Sequence, residues 1–222
     1  MTDVVFSIIP EDFEDLKYKA GRVKNILDFI QIDISNNTFT PSFTWPFQDG
    51  SYFYQNIVSG EEGLPFWEDV QYEVDMLIDN PEKEIEDWIN AGVSKIIIHL
   101  ETTEEIEKIR EITKEAGVEL GISINPSTED KVLYDNLKHA DFVQFMGSDE
   151  IGFHGVELDE NVFNKIQALR EKAPEIIISI DIGVNESTAK ELVEAGANRL
   201  VSGSFILDSE SPKSSVEFLK NL

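Results

Sequence analysis

Short apolar runs alternate with amphipathic segments along the whole 222-residue chain. The runs at 4–9, 29–34, 71–78, 95–100, 119–124, 142–146, 176–180 and 199–201 have strand length and are rich in Ile, Val and Phe. Between them, residues 11–26, 103–116, 130–137, 160–172, 186–195 and 212–222 read as helices, as does a segment opening at Asn80-Pro81 and ending near Ala91-Gly92. Pro81 suits a first helical turn, and Gly117 and Gly196 stand where helices stop. Strands alternating with helices imply a parallel sheet, and eight strands is the number that closes a barrel. A doubly wound open sheet needs no particular strand count. The expected fold is therefore a single-domain α/β protein, a (β/α)₈ TIM barrel over residues 1–222.

One stretch breaks the rhythm. Residues 41–69 carry Phe43, Trp45, Phe47, Tyr52, Phe53, Tyr54, Phe66 and Trp67. Such an aromatic-rich insertion at a barrel mouth serves as a lid, as a subunit contact that would make a homo-oligomer, or as a local mini-core covering the barrel, the last being preferred.

In this architecture functional groups project from the C-terminal ends of the strands. Those ends read Ser7, Gln31 with Asp33, Asp75, His99, Asn125, Met146, Asp181 and Gly203-Ser204. Asp33, Asp75 and Asp181 each interrupt an apolar run. A carboxylate inside a buried strand is costly unless a metal, a hydrogen bond or a catalytic duty compensates it, and three at one rim point to a site. Ser7, Asp33, Asp75, Asn125 and Asp181 are expected to converge on one cavity.

Composition narrows the field. There are 18 Lys+Arg against 44 Asp+Glu, a net charge of -26. That field repels nucleic acid and anionic lipid, so neither is an expected partner. An anionic ligand would have to be drawn in locally, which backbone amides can do without Lys or Arg. With no cysteine, disulfides and thiolate catalysis are excluded. No apolar run approaches the ~20 residues of a membrane span, and the opening Met1-Thr2-Asp3 lacks signal-peptide features. The expected compartment is the cytoplasm.

At this point the residues resemble a family, ribulose-phosphate 3-epimerase, over nearly the whole chain except the aromatic insertion. The similarity lies in Ser7-Ile8-Ile9 with Asp12-Phe13, Phe29–Ile34 with Phe39 and Pro41, and Glu73–Ile78 followed by Asn80-Pro81. It continues through His99-Leu100-Glu101, Gly121–Pro126 with Thr128, Gly152-Phe153-His154-Gly155, Ile180–Asn185 and Val201–Ser204. The resemblance implies proton transfer at C3 of a ketopentose 5-phosphate by two aspartates, which fall on Asp33 and Asp181. It also implies a divalent metal, held by those aspartates and two histidines, that stabilises enediolate oxygens. Substrate contacts are expected at Ser7, His99, Asn125, Met146, Gly183, Gly203 and Ser204.

The chain departs from the family at several positions. The two histidine positions read Gln31 and Asp75, so the expected metal ligands are Gln31, Asp33, Asp75 and Asp181. This oxygen-only set suits Mg²⁺ or Mn²⁺ better than zinc. The family's methionine-aspartate-glycine after the second strand reads Ser35-Asn36-Asn37, and its glycine after the second aspartate is Ile182. His139 is expected at the surface; His154 is open between substrate contact and exposure, and His99 between a satisfied structural role and a substrate contact. Two rivals remain: a catalytically silent barrel binding a phosphorylated ligand or a protein partner, and a barrel lyase such as a hexulose-phosphate synthase. The lyase chemistry calls for a lysine near the carboxylates, and no strand end supplies one.

Overall fold

The structure, a computed structural model, describes residues 2–48, 52–153 and 155–222. Its strands are β1 (Asp3–Ile8), β2 (Phe29–Ile34), β3 (Gln71–Met76), β4 (Lys95–His99), β5 (Glu119–Ile124), β6 (Phe142–Met146), β7 (Ile177–Asp181) and β8 (Arg199–Ser202). Each pairs in parallel with the next, and β8 returns to β1 to close the barrel. The expected TIM barrel is the observed fold.

Around it run α1 (Phe13–Gly21), α2 (Tyr52–Val58), α3 (Ile85–Asn90), α4 (Ile106–Ala116), α5 (Asp130–Asn136), α6 (Asn161–Lys172), α7 (Ala189–Ala195), α8 (Ser204–Leu207) and α9 (Pro212–Lys220). Several start later than apolar spacing suggests. The segment at Asn80-Pro81 opens as a 3₁₀ turn, Pro81–Lys83, before α3 begins. Helix α1 begins after Asp12, whose side chain accepts the Asp15 N–H. It ends at Gly21, beyond which hydrogen-bonded turns carry the chain through Leu27. Two helices escaped the sequence reading: α2 is built from aromatic residues that lack an amphipathic signature, and α8 is a single turn.

Because side chains alternate along a strand, Ile30, Ile32 and Ile34 face the helices while Gln31 and Asp33 face the barrel axis. The same alternation sends Ile96, Ile98, Ile122, Ile124, Ile178 and Ile180 outward onto Leu16, Trp88, Ile109, Leu169 and Leu192 in one continuous core. The aromatic insertion packs partly into that core. Trp45 and Tyr54 are buried against Trp88, with ring centroids at 6.0 Å and 5.2 Å, and Phe13 stacks on Phe53 at 4.6 Å. Phe43, Tyr52 and Trp67 remain exposed.

The lower end of the barrel is closed by charge and aromatics. Glu73 and Arg199 form a buried salt bridge, and Arg199 also reaches Asp3 at 3.3 Å. The Arg199 guanidinium stands 5.9 Å from the Phe29 ring centroid and 5.2 Å from that of Phe142, and Lys95 lies over the same two rings. This plug leaves the upper mouth as the open end. Removing one partner strands a buried charge, so Arg199→Ala should lower stability by about 3–5 kcal/mol in urea unfolding. A loss below about 1 kcal/mol, the level of an exposed ion pair, would show that the plug is dispensable.

Candidate active site

Strand register sets several of these residues side by side. Asp33 pairs with Asp75 across β2 and β3, Ser7 with Gln31 across β1 and β2, and Met146 with Asp181 across β6 and β7. Asp33, Asp75 and Asp181 each offer a carboxylate oxygen, and these oxygens lie within 4.8 Å of one another. All three residues are buried.

Protein donors already hold these carboxylates. Gln31 Nε2 donates to Asp33 Oδ1 at 2.8 Å and to Asp181 Oδ2 at 2.9 Å, spanning the barrel. The Ile182 N–H donates to Asp181 Oδ1 at 2.8 Å. Asp75 is bound at both oxygens, by His99 Nε2 at 3.0 Å and Gln144 Nε2 at 3.0 Å, and Ser179 in turn donates to Gln144 Oε1 at 3.2 Å. Phe39 covers the His99 ring at 5.2 Å between centroids. Buried atoms here without a hydrogen-bond partner include Gln31 Oε1, Ser123 Oγ and His99 Nδ1, the last of these 4.0 Å from Glu101 Oε2.

Burial dominates the electrostatics. It pushes the Asp181 carboxyl up to about 7, helped by the charge of Asp75 and opposed by the hydrogen bonds from Ile182 and Gln31. Asp33 is raised well above the ordinary carboxylate range, first by burial and then by Asp181 and Asp75. Burial alone would lower the His99 imidazole, but the charge and hydrogen bond of Asp75 outweigh it and raise the value. Near neutrality the layer therefore holds protons as well as negative charge.

Above the carboxylates opens a cavity of about 200 Å³ lined by Ser7, Asp33, Leu77, Met146, Asp181, Ile182, Gly183, Gly203 and Ser204, among others. Of the residues expected to converge, Ser7, Asp33 and Asp181 line it, and Asp75 is joined to the same cluster just outside the lining. Asn125 and His99 are not in its wall: the Asn125 N–H is bound by Glu101 at 2.9 Å, and His99 is turned onto Asp75. His139 ends a 3₁₀ turn, partly exposed, and His154 lies outside the described residues.

Sequence reasoning missed Gln144, although a polar residue in the apolar run of β6 was the same signal that marked the aspartates. It also missed the rim clasp. Thr40 donates to the Ile151 carbonyl at 2.7 Å, and Gly152, at φ +84°, lies so close that a Cβ there would meet Thr40 and Ser42 at 2.5 Å. The segments after β2 and β6 are thus tied together over the site.

Ile182 is the strained element. Its φ is +75°, a conformation a β-branched residue rarely adopts, at a cost of about 1–3 kcal/mol. The following Gly183 repeats it at +76° without penalty.

The family model described as the Ribulose-phosphate 3 epimerase family matches residues 3–207. The chain is similar to the ribulose-phosphate 3-epimerase of Candida glabrata, 27% identical, with 96% of this chain and 89% of that protein covered. It is similar also to that of Bacillus subtilis, 28% identical, with 99% of each covered. Among solved structures, 3-keto-L-gulonate-6-phosphate decarboxylase from Vibrio cholerae superposes with a TM-score of 0.72 at 12% identity, covering 99% of this chain and 95% of that one. At that identity the structure shares the fold alone.

Raised carboxyl pKa values make stability depend on pH. The native state binds the Asp181 proton more tightly than the unfolded chain does, so this contribution is full below the ordinary value of 3.8 and is lost as pH rises through about 7. The metal-free protein should therefore unfold at lower temperature as pH is raised from about 5 to about 8, and Asp181→Asn should flatten that slope. A melting temperature that rises over this range in the wild type alone would contradict the assignment.

Proposed function

The chain belongs to the ribulose-phosphate 3-epimerase family, a family of isomerases, and from that membership we propose that it transfers a proton at C3 of a ketopentose 5-phosphate, with Asp33 and Asp181 as the two proton-carrying groups. The observation that carries this reading is the pair itself: two buried carboxylates, both with raised pKa values, line one cavity and share one amide donor. One in the ionised form can remove the C3 proton while the other, still protonated, delivers one to the opposite face. Their elevated values suit exchange near neutral pH, where an ordinary carboxyl would be too weak a base.

The phosphate end of the ligand is assigned to Gly183, Gly203 and Ser204, which line the cavity where no Lys or Arg does among the described residues. Backbone amides at glycines approach an anion closely, which fits a chain with a net charge of -26. The relatives from Candida glabrata and Bacillus subtilis are named for ribulose phosphate, in keeping with a phosphorylated sugar here. Ser7 and Met146 complete the contacts to the sugar, while His99 acts through Asp75. A lyase reading finds no support, because the buried Lys165 is committed to Asp130 at 2.7 Å rather than to the cavity.

The donor set fits a divalent cation. Three carboxylate oxygens lie within 4.8 Å, and Gln31 carries a buried, unpartnered Oε1 that a turn of its amide would present as a fourth. Oxygen ligands without imidazole or thiolate favour Mg²⁺ or Mn²⁺ over zinc. Such an ion, held by Gln31, Asp33, Asp75 and Asp181, would supply positive charge against the oxyanion that develops as C3 loses its proton. His99 and Gln144 fix the Asp75 carboxylate in place whether or not a cation is bound.

A specific observation also supports the silent-barrel reading: every carboxylate already has a protein donor, and a single amide ties Asp33 to Asp181. Turnover separates the two. With Mg²⁺ or Mn²⁺ present, the wild type should epimerise ribulose 5-phosphate, and Asp181→Asn should abolish this with its fold intact by circular dichroism. Asp75→His should shift metal preference toward zinc. The cation should also stabilise the protein, by about 2.7 kcal/mol at a hundredfold excess over Kd. No stabilisation by any divalent ion and no turnover of pentulose or hexulose phosphates would leave the silent barrel.

A further inference from the structure

Among the described non-glycine residues with positive φ, Asn37, Phe66, Asn80 and Ile182, only Ile182 lines the cavity, and it alone is β-branched. Glycine would meet the backbone's demand here without strain, so the isoleucine is retained against local preference. Strain of this kind at a ligand cavity points to work done by the side chain.

The backbone cannot relax to move that side chain away. The Ile182 N–H is bound to Asp181 Oδ1. Its carbonyl oxygen stands where a Cβ on Gly147 would come within 2.2 Å, and the Gly147 N–H is itself bound to the Asp181 carbonyl at 2.6 Å. Gly183, the next residue, is pressed by Leu158, which a Cβ would meet at 2.8 Å. Held in this way, the Ile182 side chain packs with Phe39 onto Leu77, Met146 and Ile151, an apolar cluster separate from the main core. Ile182, Leu77 and Met146 thus form an apolar wall beside Ser7, Asp33 and Asp181. The space left, about 200 Å³, is small beside the roughly 300–1,000 Å³ of most small-molecule sites.

We propose that Ile182 is a specificity-determining residue: its side chain shortens the cavity next to Asp181, so that the site takes a ketopentose 5-phosphate and turns away a ketohexose 6-phosphate. The inference rests on the sugar-phosphate reading above and deepens it. A wall that occupies the space of one further carbon and hydroxyl discriminates through shape alone, with no charge involved. Pocket differences of about one carbon separate ligands by roughly 10–200-fold.

Binding of unreactive analogues reads this without depending on chemistry. Pentitol 5-phosphate and hexitol 6-phosphate lack the carbonyl that acidifies C3, and both can be titrated calorimetrically into the protein in Mg²⁺ buffer. The wild type should bind the pentitol phosphate at least about tenfold more tightly. I182G should bring the two within about threefold by gaining affinity for the hexitol phosphate, whereas I182V should keep the wild-type ratio. I182A, which also empties the wall, should shift the ratio in the same direction and serves if glycine loosens the turn. An unchanged ratio in a folded I182G or I182A, or a parallel loss of both ligands, overturns the inference alone and makes Ile182 a support of the turn. A wild type that binds neither analogue overturns the sugar-phosphate reading and this inference with it.

Discussion

Three carboxylates held within 4.8 Å of one another, in a layer almost closed to water, set the terms for the rest of the molecule. Left alone, such a group would be pushed apart by its own charge or fully protonated. The barrel answers in three ways. Gln31 places one amide between Asp33 and Asp181, His99 and Gln144 take both oxygens of Asp75, and the bent backbone at Ile182 turns an N–H back onto Asp181. What these donors leave uncompensated appears as raised carboxyl pKa values, and the proton transfer proposed above rests on them.

The barrel's two ends divide the labour. At the bottom, opposite charges are matched: Glu73 with Arg199, and Arg199 and Lys95 against the rings of Phe29 and Phe142. At the top, like charges are gathered and the balancing charge is left for a ligand or cation. The rigid lower plug permits this, because the strands carrying the aspartates are fixed from below and by one continuous core. The rim is tied by loop-to-loop hydrogen bonds such as Thr40 to Ile151 and Ser127 to Asp149. In the proposed reading a strongly acidic chain receives a phosphate there through glycines and a serine, since among the described residues no side-chain cation lines that part of the cavity.

The strands were legible because period-two alternation and short apolar runs survive without tertiary context; β2, β5 and β6 end where the pattern says they should. Helix starts were less legible. Where Thr103 or Glu186 joins an apolar pattern, local turns compete for the same residues and delay α4 and α7. Asp33, Asp75 and Asp181 stood out as polar residues in apolar strands. Gln144 and Glu73 gave the same signal, but whether such a residue sits at the upper, middle or lower layer depends on strand stagger, which sequence spacing does not encode. For that reason His99 proved to be a partner of Asp75 rather than a cavity wall, and Asn125 fell outside the lining. The left-handed bend at Ile182 had no local signature, because the residue there is one that backbone preference argues against.

The central claim is that this carboxylate layer moves a proton at C3 of a phosphorylated ketopentose. Incubating the protein with ribulose 5-phosphate in D₂O, with Mg²⁺ or Mn²⁺, and following the sugar by NMR tests it most directly. The account predicts loss of the C3 hydrogen signal with deuterium appearing at C3 and at no other carbon, in parallel with inversion at that centre. Retention of the C3 hydrogen under every divalent ion tried, with the sugar phosphate bound, would contradict it.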